Sequence, residues 1–311
     1  MVEYYGRDVQ PEPRSVLTVG TFDGVHRGHM TVLSRVVERA SAVDGVPSVL
    51  TFDPHPREVI AGEIVPLITT LHERIELLSE VGIERVVVVP FDDDFASLSP
   101  EAYVRDVLYR EVGIQEIVVG YDHTFGKGRK GGQALLEALA SELGFRMTIL
   151  PPIRNDESVI SSSAIRHVLL IDGDVSRAER SLGRFYSISG KVVPGDGRGT
   201  SIGFPTANMS AGHSRKIIPL RGVYAVRVRV GEASAALPGM MNIGFRPTFD
   251  GAGLRVEVNI FDFDEDLYGR VLQVEFVKRI RDERKFDSIE ALRQQLNEDR
   301  ARCTDVLAGV S

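Results

Sequence analysis

The chain has 311 residues, 43% of them hydrophobic and 26% charged, with a formal net charge of -7, enough apolar material for two cores of ordinary size. That charge balance excludes a protein whose main task is coating nucleic acid, and small molecules are the expected partners. Cys303 is the only cysteine, which excludes an intrachain disulfide and a cysteine-rich metal site and suits the cytoplasm.

The opening MVEYYGRDVQPEPR has neither the basic region nor the apolar core of an export signal and reads as a loose arm. No apolar run approaches the ~18 residues of a membrane span, so no membrane partner is expected. From residue 15 two periods alternate. SVLTVGTF (15–22) reads as a strand, and MTVLSRVVERA (30–40) places Val32, Leu33, Val36, Val37 and Ala40 at helical spacing. PSVLTF (47–52) reads as a strand and RVVVVPF (85–91) as a buried strand, with a helix between them that carries Leu71, Ile75 and Leu78 on one face. Ser99, Pro100 and Gly113 predict the cap, first position and end of the next helix. EIVVG, QALLEALASELG and RMTILPP complete a series that implies a doubly wound α/β domain of Rossmann type.

After a helical connector at 161–183 the texture changes. FYSISGKVV, GVYAVRVRV, RVEVNIFDF and LQVEFVKRI alternate between turn residues with almost no helix, predicting an antiparallel barrel or sandwich. A terminal helix carries Ile289, Leu292, Leu296, Cys303 and Leu307 on or near one face. The boundary is expected near residue 184, giving domains 1–184 and 185–311. No internal repeat is evident.

Five stretches carry chemistry. GTFDGVHRGHM (20–30) lies where a strand gives way to a helix, the place where an open α/β sheet binds ligands. Gly20, Gly24 and Gly28 allow close backbone approach to a phosphate, and His26 and His29, three apart, can stabilise charge on a transferring phosphoryl group. The same residues also fit a tight turn with histidine caps. ISSSAIR (160–166) offers Ser161, Ser162, Ser163 and Arg166, donors suited to a triphosphate or, equally, a helix cap and a surface arginine. TFDPHP (51–56) and VGYDHTFGKGRKGG (119–132) supply Pro54 and Pro56 as a rigid wall and Asp122 and Phe125 as partners for a flat heterocycle, or are ordinary surface loops. The second is not a Walker loop, because Lys127 is followed by glycine. GDGRGTSIGFPTANM (195–209) combines a glycine arch containing Gly197, Gly199 and Gly203 with Thr206 and Asn208, neutral oxygen donors suited to Mg²⁺ on ATP phosphates, or forms a long hairpin loop satisfying its own backbone.

GTFDGVHRGHM resembles the HxGH motif of the nucleotidyltransferase superfamily, and as GxFDGVHxGH it is similar to the FMN adenylyltransferase module of bacterial bifunctional riboflavin kinase/FAD synthetases. The resemblance implies that Gly20, Thr21, Phe22, Asp23, Gly24, His26, Gly28 and His29 bind ATP with the serines and Arg166 of ISSSAIR, His26, His29 and Arg166 being catalytic. It implies that Pro54, Pro56, Asp122 and Phe125 bind flavin. His123 departs from the aromatic expected there. PTAN, MNIGFRPTF and VEVNIFDFDEDLYG resemble the riboflavin kinase module, in which Thr206 and Asn208 hold Mg²⁺ and ATP and Glu257 is the base that accepts the hydroxyl proton. Asn259 and Glu265 stand where histidine and glycine are expected. FVKRIRDERKFDS resembles the flavin-side closure, implying flavin contacts at Arg279 and Phe286.

The expectation is therefore a two-step enzyme with riboflavin, FMN, FAD and ATP as its partners. Two rivals stand beside it: a nucleotidyltransferase acting on another phosphoalcohol, separated only by the second domain, and a flavin-binding regulatory protein without turnover.

Overall fold

The computed structural model describes residues 1–151, 160–195, 202–210, 212–231, 235–248 and 251–310. The chain divides into two compact units, Met1–Ser161 and Ser162–Ser311.

In the first unit, β1 (Val2–Tyr4), β2 (Ser15–Val19), β3 (Val46–Phe52), β4 (Arg85–Val89), β5 (Ile114–Gly120) and β6 (Arg146–Leu150) form one sheet in the order β1-β4-β3-β2-β5-β6. Every pairing is parallel. Successive residues split between two faces, as period-two geometry requires. Leu17, Leu50, Val87 and Ile117 pack in one core, while Val16, Val49, Val86 and Val118 pack in the other. The helices α1 (Arg27–Ala42), α2 (Pro56–Ala61), α3 (Leu71–Glu80), α4 (Asp93–Ala96), α5 (Pro100–Ala102, continued by π-helical Tyr103–Val112) and α6 (Gln133–Leu143) connect the strands. Ser99 and Pro100 start α5 as expected, and Gly113 follows it in the left-handed conformation at φ 79°. The chain runs outward from β2 through β3 to β4 and then returns to the other side of β2 as β5. That reversal makes the carboxyl ends of β2 and β5 the switch point of the sheet.

The N-terminal arm differs from expectation. It forms edge strand β1, with Val2 opposite Val86 and Tyr4 opposite Val88. Glu3 is buried and takes both carboxylate contacts from Arg85, at 3.1 and 2.7 Å. Arg85 also donates to the carbonyls of Val112 (2.8 Å) and Gln10 (2.6 Å). A charge inside a three-residue strand hides its burial, because the compensating partner is far away in sequence.

In the second unit, β7 (Tyr186–Val193), β8 (Ala207–Met209), β9 (Gly222–Val230), β10 (Leu237–Thr248), β11 (Gly251–Ile260) and β12 (Val271–Arg281) close an antiparallel barrel in the order β10-β11-β8-β7-β12-β9. The connector folds with the barrel, so the contact boundary falls after Ser161, earlier than the expected 184. It comprises α7 (Ser162–His167), a π-helical turn (Val168–Asp172) and α8 (Val175–Leu182). The Ser176 hydroxyl donates to the Val277 carbonyl (3.0 Å), and the Leu220 N–H donates to the Leu169 carbonyl (2.9 Å).

The terminal helix α9 (Ile289–Ala308) buries Cys303 as expected, with Leu296 and Leu307 packed against the same core, but its buried face also carries polar residues. It buries Gln295, Asp299 and Cys303, whereas Ile289 is 65% exposed. The cause is polar: Asp299 binds the Arg281 guanidinium through both oxygens and accepts from Gln295 Nε2 at 2.8 Å.

In the first unit another buried carboxylate ties α1 to the central sheet. Arg39 on α1 donates to both oxygens of Glu116 on β5 (2.7 and 2.9 Å), and Thr148 on β6 adds a third bond at 2.8 Å. Burial alone would raise the Glu116 pKa, but the bonds from Arg39 and Thr148 and the charges of Arg39 and Arg146 hold it below the usual carboxylate value. A depressed folded pKa contributes stability above the unfolded pKa, and that stability is lost as pH falls through the folded value. We therefore expect Glu116→Gln to lower the denaturation midpoint of the first unit at pH 7 and the deficit to shrink on acidification. Denaturant titrations across the carboxylate range check this; a pH-independent deficit would contradict it.

Candidate functional sites in the two units

The expected phosphate loop occupies the switch point, running from the end of β2 into α1. Three of its residues take left-handed backbone: Phe22 (φ 47°), Gly24 (φ 88°) and Val25 (φ 37°). Gly24 accepts this readily, whereas each non-glycine case costs about 1–3 kcal/mol. Burial of Phe22 and Val25 offsets that cost. Gly20 and Gly28 answer to close approach: a Cβ would lie 3.1 Å from the Phe22 ring or 3.1 Å from the His26 ring, respectively.

His26 is the N-cap of α1 and is buried, and its Nδ1 accepts from the His29 N–H at 3.2 Å. In the neutral His26 ring the proton therefore resides on Nε2. The two imidazoles stack with centroids 3.6 Å apart and planes 15° from parallel, and the Phe22 ring meets His29 edge-on at 5.1 Å. The sequence thus forms one compact pair of nitrogen heterocycles at a positive helix terminus. Asp23 does something else. It is fully buried, and its carboxylate accepts from the backbone N–H groups of Ile68 (3.1 Å) and Thr69 (2.8 Å), so it holds the loop in place.

The other expected adenylyltransferase residues are distributed as follows. Pro54 follows a cis peptide bond after Asp53, and Pro56 opens α2, capped by His55. This stretch leaves β3, while Asp122 and Phe125 follow β5, so the two loops leave the strands on either side of β2. Asp122 is exposed. Phe125, expected to face a ligand, is instead buried in the core beside Tyr103, with centroids 5.8 Å apart. Its bridge to Gly131 places it there, and a Cβ on Gly131 would lie 2.5 Å from its ring. His123 stacks on Phe125 at 5.8 Å and is the less buried ring of the two. Burial lowers the His123 pKa, Asp122 partly opposes this, and Arg129 adds to the lowering, which favours the neutral imidazole. Ser161 ends the first unit; Ser162, Ser163 and Arg166 begin the second on α7.

The second unit contains a cavity of about 270 Å³ whose wall includes Thr206, Glu257 and Phe286. Strand register builds it: Glu257 on β11 stands opposite Asn208 on β8 and Asn242 on β10. Arg255, two residues before Glu257 and also in the wall, bridges the set. Its Nε donates to Asn208 Oδ1 (3.1 Å) and its Nη2 meets Glu257 Oε1 (3.0 Å). Asn259 Nδ2 donates to the Pro205 carbonyl at 2.6 Å, pinning the backbone beside Thr206. Gly203 is left-handed at φ 83°, while Gly197 and Gly199 lie outside the described residues.

Arg279 is not brought to this cavity. It packs against Gly173 and Gly222, donates to the Arg221 carbonyl (2.6 Å) and pairs with Asp282 (2.7 Å). Register shifts at Phe276/Lys278 and Arg279/Arg281 break the alternation of β12. The cavity wall instead receives Arg281 and Arg284, whose guanidinium groups lie 5.7 and 4.8 Å from the Phe286 ring centroid. Arg255, Asn242 and this arginine pair were not singled out in sequence; the i, i+2 spacing of Arg255 from Glu257 was the available signal.

Among the described residues no cluster of three or more His, Cys, Asp or Glu could hold a metal ion, and no helix is long and apolar enough to cross a membrane. Burial, with Asp299 contributing, pushes the Cys303 thiol up to about 12, which removes thiolate chemistry.

The first unit thus has the parallel sheet and glycine–histidine strand-to-helix loop of a nucleotidyltransferase-like domain, and the second is a closed barrel with a cavity lined by both polar and apolar side chains. The FAD synthetase family matches residues 8–164, and the riboflavin kinase family matches residues 182–307. The bifunctional riboflavin kinase/FMN adenylyltransferase of Escherichia coli (strain K12) is 40% identical over 290 residues, 93% of this chain and 91% of its own. The Bacillus subtilis (strain 168) enzyme of the same name is 38% identical over 297 residues, 94% and 92% of the two chains. A solved structure described as a macrolide-efflux protein from Streptococcus pneumoniae has a TM-score of 0.87 at 33% identity, covering 97% of this chain and 98% of its own. The chain belongs to the bifunctional riboflavin kinase/FMN adenylyltransferase family.

Gly28 gives this geometry a direct test. A Cβ there would force the His26 ring to move, so Gly28→Ala is expected to reduce FMN adenylylation about tenfold or more while riboflavin phosphorylation continues. Chromatographic separation of FMN and FAD measures both in one sample, and unchanged FAD formation would contradict the role of the stacked pair.

Proposed function

We propose that the chain makes FAD from riboflavin in two ATP-consuming steps, with adenylylation assigned to residues 1–184 and phosphorylation to 185–311. A single observation supports one step in each domain: the stacked histidines at the start of α1 fall within residues 1–184, and Thr206 with Glu257 line one cavity within 185–311.

In the kinase step, Glu257 accepts the proton of the ribityl 5′-hydroxyl as that oxygen attacks the γ-phosphorus of ATP, giving FMN and ADP. Thr206 in the cavity wall and Asn208 opposite Glu257 offer neutral hard oxygens, a donor set that fits a magnesium ion. Thr206 and Asn208 would hold Mg²⁺, which when bound neutralises charge on the ATP phosphates. The glycine arch holds ATP, and Phe286 with the neighbouring arginines closes on the flavin. Asn259 steadies Pro205 and hence the position of Thr206.

In the second step an FMN phosphate oxygen attacks the α-phosphorus of a second ATP, and pyrophosphate leaves. The attacking oxygen is already anionic, so no strong base is needed. His26, His29 and the α1 terminus stabilise the developing charge. We assign the backbone of Gly20–Gly24, Gly28, the serines of ISSSAIR and Arg166 to the ATP phosphates. Pro54, Pro56, Asp122 and His123 form the flavin wall, with Phe125 beneath His123. A buried thiol and two soluble-cofactor reactions suit the cytoplasm.

Two substitutions test the division. Glu257→Gln is expected to abolish FMN formation while added FMN is still adenylylated; loss of both activities would contradict separate sites. His29→Ala is expected to make FMN accumulate during riboflavin turnover, and undiminished FAD synthesis would remove His29 from the mechanism. Chelation of Mg²⁺ should stop riboflavin phosphorylation and its restoration should recover it, both read as FMN produced.

A further inference from the structure

Residues 68–74, which connect to and begin α3, belong to none of the motifs above, yet they hold the phosphate loop from two sides. The Thr69 hydroxyl donates to Asp23 Oδ1 at 3.0 Å and accepts from the Gly24 N–H at 2.9 Å. Together with the two backbone N–H groups on the same carboxylate, it closes a buried network in which Asp23 is 0% and Thr69 3% exposed. Thr70 then starts α3 with a capping box to Glu73, which makes the anchor itself rigid.

One turn later Arg74 reaches the other side of the same loop. It is 2% exposed, and its Nη1 donates to Thr51 Oγ1 and to the Phe52 carbonyl, each at 3.1 Å. The Thr51 hydroxyl in turn donates to the Thr21 carbonyl at 3.2 Å. The backbone of Thr21 and the pair Asp23–Gly24 are thereby fixed on either side of Phe22, the left-handed residue whose ring touches His29. Arg74 also grips the end of β3, from which the Pro54–Pro56 wall departs.

We propose that Thr69 and Arg74 are positioning residues for adenylyl transfer, Thr69 acting through Asp23 and Gly24 and Arg74 through Thr51 and Thr21. The inference rests on the assignment of residues 20–29 to the ATP phosphates. Neither residue touches substrate. Each sets where the loop backbone and the His29 ring stand, and a small displacement of such groups is costly because phosphoryl transfer depends on positioning.

The test uses the full chain supplied with FMN and ATP, with riboflavin phosphorylation followed in parallel. Thr69→Val and Thr51→Val delete one hydroxyl each at nearly constant shape, and Thr69→Ser restores it. Each valine variant is expected to lower kcat/KM for ATP in FMN adenylylation about tenfold or more with a raised KM for ATP. KM for FMN should stay within about twofold, since the flavin wall is not displaced in the same way. Thr69→Ser should recover most of the loss. A purely structural role would reduce the amount of active enzyme and leave both KM values alone. Thr51→Val carries the same test should Thr69→Val fail to fold. Unchanged KM for ATP in the folded valine variants, with His29→Ala inactive, overturns this inference and leaves the phosphate-loop assignment standing; an active His29→Ala overturns that assignment itself.

Discussion

The first unit turns on the grip of the buried Asp23 carboxylate on residues 68 and 69. A loop with Phe22, Gly24 and Val25 all left-handed does not hold its shape by intrinsic preference. It needs compensation from outside, and a fully desolvated carboxylate supplies it only when its hydrogen bonds are complete. Because the loop sits where the parallel sheet reverses direction, fixing it also fixes the start of α1 and both histidines. Arg39–Glu116 ties the same helix to β5 further along. The geometry of the loop between β2 and α1 is therefore a product of buried charged groups whose hydrogen bonds are complete.

The second unit solves the analogous problem with strand register. Pairing β11 with β8 places Glu257 beside Asn208, and β10 adds Asn242 from the other side. Arg255 holds the carboxylate and the amide oxygen together. Barrel closure converts three residues distant in sequence into neighbours without a dedicated loop. The negative total charge of the chain is compatible with ATP as a substrate because the relevant field is local, set in the first unit by the helix terminus at the start of α1.

Much of this was legible in sequence for identifiable reasons. Parallel strands buried on both faces read as continuous apolar runs, and the Ser99–Pro100 start and Gly113 stop of α5 follow from local backbone chemistry. The glycine–histidine loop at the switch point and the Thr206–Asn208 stretch beside Glu257 are legible because each is concentrated in a short segment. What escaped depended on partners remote in sequence. Glu3 looked like a residue of a loose arm because Arg85 lies elsewhere, and Asp23 looked like a ligand contact because Thr69 does. Phe125 in a glycine-rich loop fits a ligand wall or a core equally well until Gly131 pins it. Arg279 and Arg281 share the parity of an ideal strand, and only the bulges of β12 separate their destinations. The polar part of the buried face of α9 is not legible locally, because only Arg281 justifies the burial of Gln295 and Asp299.

The most direct measurement is a crystal structure of the full chain with a non-hydrolysable ATP analogue and FMN. The account predicts triphosphate oxygens within hydrogen-bonding distance of the loop between β2 and α1 and of the His26–His29 pair, with the FMN phosphate directed at the α-phosphorus. A triphosphate bound in the first unit away from that loop, with the stacked histidines untouched, would contradict it.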